Sequence, residues 1–267
     1  MTTHFLLMFV AFVAGFVDIV AGGGGIITLP ALLTAGLDPV TALGTNKLQS
    51  ALSESSATVH FLRRKEISFK DLWLGLVLTL FGSSAGTLLV QWVPTQNLTS
   101  VIPFLLLAAL LFYLYAKKAP VDLSKDSLKA DNLTRFFMIA GPSIGFYNGF
   151  FGPGTGSIWA IAISTFLFLP LHKATMFAKP LNLMGNFTAL LWFALGGKVN
   201  LSIALTMGVG SLIGGALGAR FVHSKNNHYI KALFIVMMIL SITIAFRNAF
   251  GTYIHTHLLE YFHFWYS

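Results

Sequence analysis

Three kinds of residue interrupt an otherwise apolar segment near the N-terminus, and all three could do chemistry. They are the acid Asp18, the consecutive glycines Gly22, Gly23, Gly24 and Gly25, and the base Lys47. Glycine costs about 1 kcal/mol relative to alanine inside a helix, so four in a row predict a helix break. A break at membrane depth is tolerated where protein or a water-filled cavity surrounds it. The segment is therefore predicted to form half of a solute-binding site.

The helix predicted after the break carries polar side chains along one face. Lys47, Ser50 and Glu54 are spaced by three and four residues, so they share a face at 3.6 residues per turn. Ionisable residues within membrane spans are costly and usually face the bundle interior or a water-filled path, which makes a functional site the default interpretation. The alternative is a buried Lys47–Glu54 ion pair with a purely structural role.

The second half of the chain repeats this pattern after a shift of about 130 residues. The matched pairs are Asp18 with Asn148, Gly22 with Gly152, Gly24 with Gly154, Lys47 with Lys179, Ser50 with Asn182 and Glu54 with Asn186. Matching glycine- or proline-interrupted segments in two halves are typical of secondary transporters, which bind their solute between the repeats. Chance similarity of two glycine-rich halves is the alternative, and the paired lysines disfavour it.

Two lysines and two helix N-termini that meet between such repeats would favour an anion. A broken helix exposes unpaired N–H groups at the start of its second piece, where the helix dipole places about half a positive charge. We predict that the lysines supply charge, the glycine breaks supply N–H donors and the neighbouring polar side chains supply orientation. The predicted substrate-binding residues are Gly22, Gly23, Gly24, Gly25, Asn46, Lys47, Ser50, Asn148, Gly152, Gly154, Lys179, Asn182 and Asn186.

Asp18 and Glu54 are the two acids that the pattern places inside spans. Either could take up and release a proton during transport, because burial and neighbouring charges shift the titration of a carboxyl group. Both are therefore candidates for proton coupling. Asp18 could equally cap the helix that starts after the break, and both interpretations stay open at this stage.

The composition places the chain among polytopic membrane proteins. Its 267 residues are 55% hydrophobic and 10% charged, against about 25% charged in globular domains. The net charge of +8 is explained by basic loops on the cytoplasmic side rather than by nucleic-acid binding. The absence of cysteine excludes disulfides, thiolate metal sites and cysteine nucleophiles. No Lys or Arg precedes the first apolar segment, so we expect a retained span and not a cleaved signal.

Hydropathy predicts an all-α membrane bundle of about eight spans, with broken or re-entrant helices in two structural repeats. The boundaries are a first repeat at 1–116, a hydrophilic linker at 117–135, a second repeat at 136–250 and an interfacial aromatic tail at 251–267. Predicted helices cover 5–21, 26–35, 39–62, 72–93, 98–116, 136–151, 157–169, 171–195, 201–222 and 229–250. The G-S-x-x-G pattern at 82–86 and 210–214 predicts close helix packing.

The relative orientation of the repeats depends on the number of crossings in each half. An inverted arrangement would place the basic residues of both halves on the cytoplasmic side, as the positive-inside trend requires, but it needs an odd number of crossings. The short apolar pieces at 26–35 and 157–169 would have to complete a crossing. We favour the inverted arrangement over the parallel one.

Other chemistries fit the sequence poorly. Ser157 with His172 could serve an intramembrane hydrolase, but the G-x-S-x-G turn is missing. His255, His257 and His263 have only Glu260 as a nearby carboxylate, so an interfacial tail is a better interpretation than a metal site. Neither glycine run lies in a dinucleotide or phosphate-loop motif. No enzyme activity, cofactor or metal is expected.

Two sets of motifs resemble the TauE/SafE family of sulfite exporter membrane proteins. In the first half they are A-G-F-V-D-I-V-A-G-G-G-G-I-I-T-L-P-A-L (14–32), A-L-G-T-N-K-L-Q (42–49) and F-L-R-R-K (61–65). In the second half they are G-F-Y-N-G-F-F-G-P-G-T-G-S (145–157) and K-A-T-M-F-A-K-P-L-N (173–182). The resemblance implies a duplicated helical permease of the inner membrane that moves sulfite, sulfonates or related organosulfur anions, usually outward. Related sequences often carry an acid at the position that Asn148 occupies in this chain, so a symmetric two-acid proton relay is in doubt.

Together these features predict a multi-pass secondary transporter of the inner (plasma) membrane that exports small anions. An anion channel of the same architecture is the nearest alternative, and an intramembrane enzyme is a more distant one. The expected partners are a small anionic substrate and the lipid bilayer, without nucleic acid. A homo-oligomer is left open.

Overall fold

The computed structural model describes residues 2–116 and 130–222, together with 235–236, 239–240, 242–247 and 249–250. All regular structure within these residues is helical, which confirms the all-α prediction. Its helices up to residue 222 are α1 (Thr2–Ala21), α2 (Gly24–Thr34), α3 (Pro39–Arg63), α4 (Phe69–Trp92), α5 (Thr95–Ala116), α6 (Ala130–Phe150), α7 (Thr155–Phe166), α8 (Leu171–Leu195) and α9 (Leu201–Phe221).

Most boundaries lie close to the predicted ones, with one correction. Helix α6 begins at Ala130 and not at 136, so the end of the predicted linker is helical. The described residues between 235 and 250 are helical, as predicted, whereas the tail at 251–267 lies outside the described residues. Among the described residues, three helices are long and apolar enough to cross a membrane, and they lie within α1, α4 and α9. The count of about eight spans stays a prediction.

The exposed tryptophans of α4 mark a membrane-sized interval. Trp73 is 61% exposed and Trp92 is 85% exposed, one near each end of the helix. At 1.5 Å per residue they are about 28 Å apart along the axis, close to the thickness of a hydrocarbon core. Tryptophan is enriched at both membrane–water interfaces. Helix α4 therefore has the length and the anchors of a complete crossing.

Both predicted breaks are present. Helix α1 stops at Ala21 and Gly22 has φ +83°, while Gly152 and Gly154 after α6 have φ +97° and +83°. These left-handed conformations favour glycine, which explains the residue type at each position. The first break is shorter than predicted, because α2 already begins at Gly24.

Helices α1 and α9 form one closely packed parallel pair, and α4 and α6 form another. The contacts, in chain order, are Gly210 with Met8, Gly214 with Phe12 and Gly218 with Phe16, and in the second pair Gly82 with Pro142 and Gly86 with Phe146. A methyl group at any of these glycines would overlap backbone atoms of the facing helix. The close packing predicted from the G-S-x-x-G pattern is confirmed.

Helices α3 and α8 run antiparallel between these two pairs. Gly44 near the start of α3 faces Phe193 near the end of α8, and Glu54 faces Asn186 at their centres. Helix α3 also packs on α9, and α8 also packs on α4. This arrangement places the polar faces of α3 and α8 against each other in the interior.

The short helices α2 and α7 turn back after the breaks. In α7, the rings of Trp159 and Phe166 lie 6.4 and 6.3 Å from that of Phe136 near the start of α6. Helix α2 is joined to α3 by residues 35–38 alone, and its first residue packs on α1 beside Asp18. Helices α1–α4 contain 20, 11, 25 and 24 residues, and α6–α9 contain 21, 12, 25 and 21. The two orders of lengths are similar, and the duplication itself stays a prediction.

The α4–α6 interface provides a matched test of the packing. Gly86→Leu should destabilise the protein by about 1–3 kcal/mol or more, because its side chain meets the Phe146 carbonyl and the Phe150 amide. Ala85→Leu changes the adjacent exposed position and should have little effect. Thermal unfolding in detergent compares the two variants. Equal melting temperatures would contradict the close contact.

Candidate functional site

Four ionisable side chains are buried where α1, α3, α6 and α8 meet. Lys47, Glu54 and Lys179 have no solvent exposure, and Asp18 retains 7%. Helix α3 supplies Lys47 and Glu54, which lie on the same face of the helix two turns apart, and α8 supplies Lys179. Charges buried this deeply require partners, because desolvation of an unpaired ion costs several kcal/mol. The partners define the site.

The Lys47 ammonium group is fully occupied by protein oxygen atoms. It donates to the Asn148 carbonyl at 2.5 Å, to Asn148 Oδ1 at 3.0 Å and to Asn186 Oδ1 at 3.2 Å. A lysine ammonium has three N–H donors, so all of them have an acceptor. In this conformation Lys47 has no donor left for a ligand.

Glu54 is held by two asparagine amides and not directly by Lys47. Asn182 Nδ2 donates to one carboxylate oxygen, and Asn186 Nδ2 donates to the other at 2.8 Å. Asn148 Nδ2 in turn donates to Asn182 Oδ1 at 2.7 Å. Lys47, Asn148, Asn182, Glu54 and Asn186 therefore form a closed ring of hydrogen bonds, which we call the amide ring. The direct Lys47–Glu54 ion pair considered above is absent from this described ring.

The two lysines make the same contact at matched positions. Lys179 Nζ donates to the Asp18 carbonyl at 2.7 Å, as Lys47 Nζ donates to the Asn148 carbonyl. Asp18 lies in the last turn of α1 and Asn148 in the last turn of α6. The C-terminal end of a helix carries unpaired carbonyls and partial negative charge, so a lysine stabilises it. Each lysine thus caps the broken helix of the other half.

Asp18 caps the helix that follows its own break. Its Oδ1 accepts the Gly24 N–H at 2.9 Å, which satisfies one of the free donors at the start of α2. Its Oδ2 is buried and has no hydrogen-bond partner among the described residues. The capping contact is therefore present, and proton coupling through Asp18 or Glu54 stays a prediction. When all four groups are ionised, the charges of Asp18, Glu54, Lys47 and Lys179 cancel.

The two breaks touch each other. Ser157 in the first turn of α7 donates its N–H to the Gly22 carbonyl at 2.9 Å and its hydroxyl to the Ala21 carbonyl at 2.6 Å. The N–H groups of Gly22 and Gly152 donate to carbonyls within α1 and α6, and Gly24 is bound by Asp18. These glycine N–H groups are not free donors in this conformation, because the turns at the breaks use them.

A second polar cluster surrounds Asn46. Asn46 Oδ1 accepts hydrogen bonds from Thr28 Oγ1 at 2.5 Å and from Gln49 Nε2 at 2.7 Å. Gln49 Nε2 also lies 3.0 Å from Ser50 Oγ. We call Thr28, Asn46, Gln49 and Ser50 the Asn46 cluster. Sequence reasoning missed Thr28 and Gln49, although a threonine in the apolar α2 and a glutamine two residues after Lys47 were visible signals.

The site offers amides, hydroxyls, two ammonium groups and two carboxylates. No group of three or more His, Cys, Asp or Glu side chains suited to a metal ion occurs within the described part of the chain. His255, His257 and His263 lie outside it. Ser157, the nucleophile considered for an enzyme, donates its hydroxyl to a backbone carbonyl.

The family profile described as "Sulfite exporter TauE/SafE" matches residues 7–244. The chain belongs to the TauE/SafE family. It is 42% identical over 232 residues to "Probable membrane transporter protein YfcA" of Escherichia coli K12, covering 87% of this chain and 85% of the relative. It is 40% identical over 232 residues to a "Probable membrane transporter protein" of Haemophilus influenzae, covering 87% and 90%.

A third relative, "Probable membrane transporter protein ORF9" of Sinorhizobium sp., is 38% identical over 241 residues, covering 90% of each chain. No solved structure matches the chain significantly. These matches and the apolar helices identify a membrane transporter of the TauE/SafE family, as the motifs predicted.

The unequal bonding of the two lysines can be tested by a matched pair of substitutions. Lys47→Met should lower the melting temperature more than Lys179→Met. The first variant takes a donor away from three oxygen atoms, whereas the second takes one away from the Asp18 carbonyl only. Each buried polar group left unsatisfied costs about 1–3 kcal/mol. Both variants remove one buried positive charge, so the charge effect is matched. Equal shifts in detergent would contradict the amide ring.

Proposed function

We propose that this TauE/SafE transporter is a secondary carrier that exports small oxyanions such as sulfite, sulfonates or related organosulfur compounds. The observation that carries the proposal is the bonding of Lys179. Its buried ammonium group has three donors, and among the described residues the Asp18 carbonyl accepts one of them. A buried cation with unused donors favours a ligand rich in acceptor oxygens, and a small oxyanion supplies them.

We further propose that the two halves are inverted repeats. The matched helices α3 and α8 run antiparallel, and α1 pairs with α9 as α6 pairs with α4. If α1–α2 and α6–α7 are re-entrant hairpins, although α1 is long enough to span, the first half crosses with α3, α4 and α5. The second half would cross with α8, α9 and the helical residues within 235–250. Each half then has the odd count that inversion needs without a crossing by the short pieces at 26–35 and 157–169. Inverted repeats with broken helices at the midplane are the usual framework for alternating access.

Sidedness follows from the basic residues near the start of α4. Arg63, Arg64, Lys65 and Lys70 lie at the Trp73 end of that helix, and positively charged loops face the cytoplasm. We therefore propose that the end of α3 and the starts of α4, α6 and α8 lie on the cytoplasmic side. The chain is accordingly proposed to lie in the inner membrane.

Charge balance supports proton coupling. When all four buried groups are ionised their charges cancel, so an added monovalent anion leaves the site with one uncompensated negative charge, which is costly in an apolar interior. A proton on Asp18 or Glu54 would offset it, and the unpaired Asp18 Oδ2 is an available acceptor. The proton and the anion would then move together, and outward flux would follow the outward gradient of the anion.

Reconstituted flux tests the proposed function. Proteoliposomes should show saturable flux of sulfite, methanesulfonate or thiosulfate, with no flux of the neutral analogue dimethyl sulfone. Lys179→Ala should reduce anion flux at least tenfold, because about 1.5–3 kcal/mol is lost with a charged hydrogen bond. Anion flux that survives in both Lys47→Ala and Lys179→Ala would contradict the site.

Coupling is tested by two isosteric substitutions. In the unaltered protein, a proton gradient parallel to the anion gradient should accelerate flux. Asp18→Asn and Glu54→Gln, made separately, should abolish this dependence in at least one case, because each removes a titrating group without changing its shape. Dependence retained in both variants would contradict coupling through these acids. Flux without gradient dependence in the unaltered protein would instead indicate an anion channel.

A further inference from the structure

The Asn46 cluster holds one amide in a fixed orientation. All three hydrogen-bonding partners are buried, with exposed fractions of 0% for Thr28, 3% for Asn46 and 2% for Gln49. Asn46 Oδ1 accepts from both the Thr28 hydroxyl and the Gln49 amide, so both of its neighbours act on the same atom. Asn46 Nδ2 makes no hydrogen bond to any described residue. The amide therefore presents its N–H groups on the side away from Thr28 and Gln49.

Those N–H groups face the junction of the two breaks. A Cβ built on Gly25 would lie 3.1 Å from Asn46 Nδ2 and 3.2 Å from the Cα atom of Pro153. Gly25 belongs to the first turn of α2, and Pro153 lies between the two left-handed glycines of the second break. An amide donor without a hydrogen-bond partner among the described residues thus lies at the start of an eleven-residue helix, beside the other half's break.

The second half has no counterpart of this cluster. The shift that pairs Lys47 with Lys179 places Ala178 opposite Asn46 and Leu181 opposite Gln49. Neither replacement can donate or accept a hydrogen bond through its side chain. The cluster is therefore a feature of the first half alone.

We propose that Thr28 and Gln49 are positioning residues that aim the Asn46 amide at an oxygen atom of the transported oxyanion. This inference rests on the proposed function. Asn46 contacts the anion as a neutral donor, while Lys179 contributes the charge. Thr28 and Gln49 act only through Asn46. A fixed neutral donor adds recognition of an acceptor oxygen without adding net charge to a site whose charges already cancel.

A double-mutant cycle tests this arrangement, with the half-saturating concentration of sulfite in reconstituted flux as the readout. Asn46→Ala should raise that concentration about tenfold, the equivalent of a lost hydrogen bond to a charged ligand. Gln49→Leu, which copies the second half, should raise it by a smaller factor. The double variant should be no worse than Asn46→Ala alone, because Gln49 has nothing left to orient.

Thr28 offers an internal control. Thr28→Val removes the hydroxyl group at nearly constant shape and should weaken sulfite binding, whereas Thr28→Ser keeps the hydroxyl group and should restore it. Melting temperatures of all variants separate a loss of folding from a loss of binding. A role in stability alone would leave the half-saturating concentration unchanged in variants that remain folded.

The outcomes distinguish the two proposals. Additive losses in the double variant, an unchanged half-saturating concentration in Asn46→Ala, or failure of Thr28→Ser to restore binding would each overturn the positioning role while anion transport stands. Absence of saturable flux for sulfite, methanesulfonate and thiosulfate in the unaltered protein would overturn the proposed function, and the positioning role with it.

Discussion

The constraint on which the structure depends is the cost of ending two helices inside the protein. Helices α1 and α6 stop in the interior, where their last carbonyl groups have no water to bind. Lys179 and Lys47 each donate to one carbonyl of these last turns, at Asp18 and at Asn148, from the helix of the opposite half, and the Asp18 carbonyl also accepts the Gly22 N–H. The breaks, the buried lysines and the contact between the halves are therefore parts of one interaction.

Much of the fold followed from local sequence patterns. The bounds of α8 and the close packing at Gly86 and Gly214 were predicted correctly, because periodicity and small-residue spacing report directly on helices and their contacts. The polar faces of α3 and α8 were also found, since 3.6-residue spacing places Lys47 and Glu54 together. The start of α6 was not predicted, because its first turn carries the charged residue Asp131 and resembles a hydrophilic linker.

The partners within the site could not be predicted in the same way. That Glu54 binds Asn182 and Asn186 instead of Lys47 depends on how α3 and α8 meet, which no local pattern encodes. The glycine N–H groups were expected to be free, but those of Gly22, Gly24 and Gly152 are already bonded within the protein. Asn148 occupies the second-half position that matches Asp18, so the two halves are chemically unequal. The closed amide ring contains Lys47 and not Lys179.

The central claim is that an oxyanion binds beside Lys179 where the two breaks meet. Its most direct test is an experimental structure of the full chain with selenite, whose selenium atom can be located by anomalous scattering. We expect selenite within hydrogen-bond distance of Lys179 Nζ, next to the junction of Gly25 and Pro153. Selenite bound elsewhere, or a filled site in which Lys179 contacts only the Asp18 carbonyl, would contradict the account.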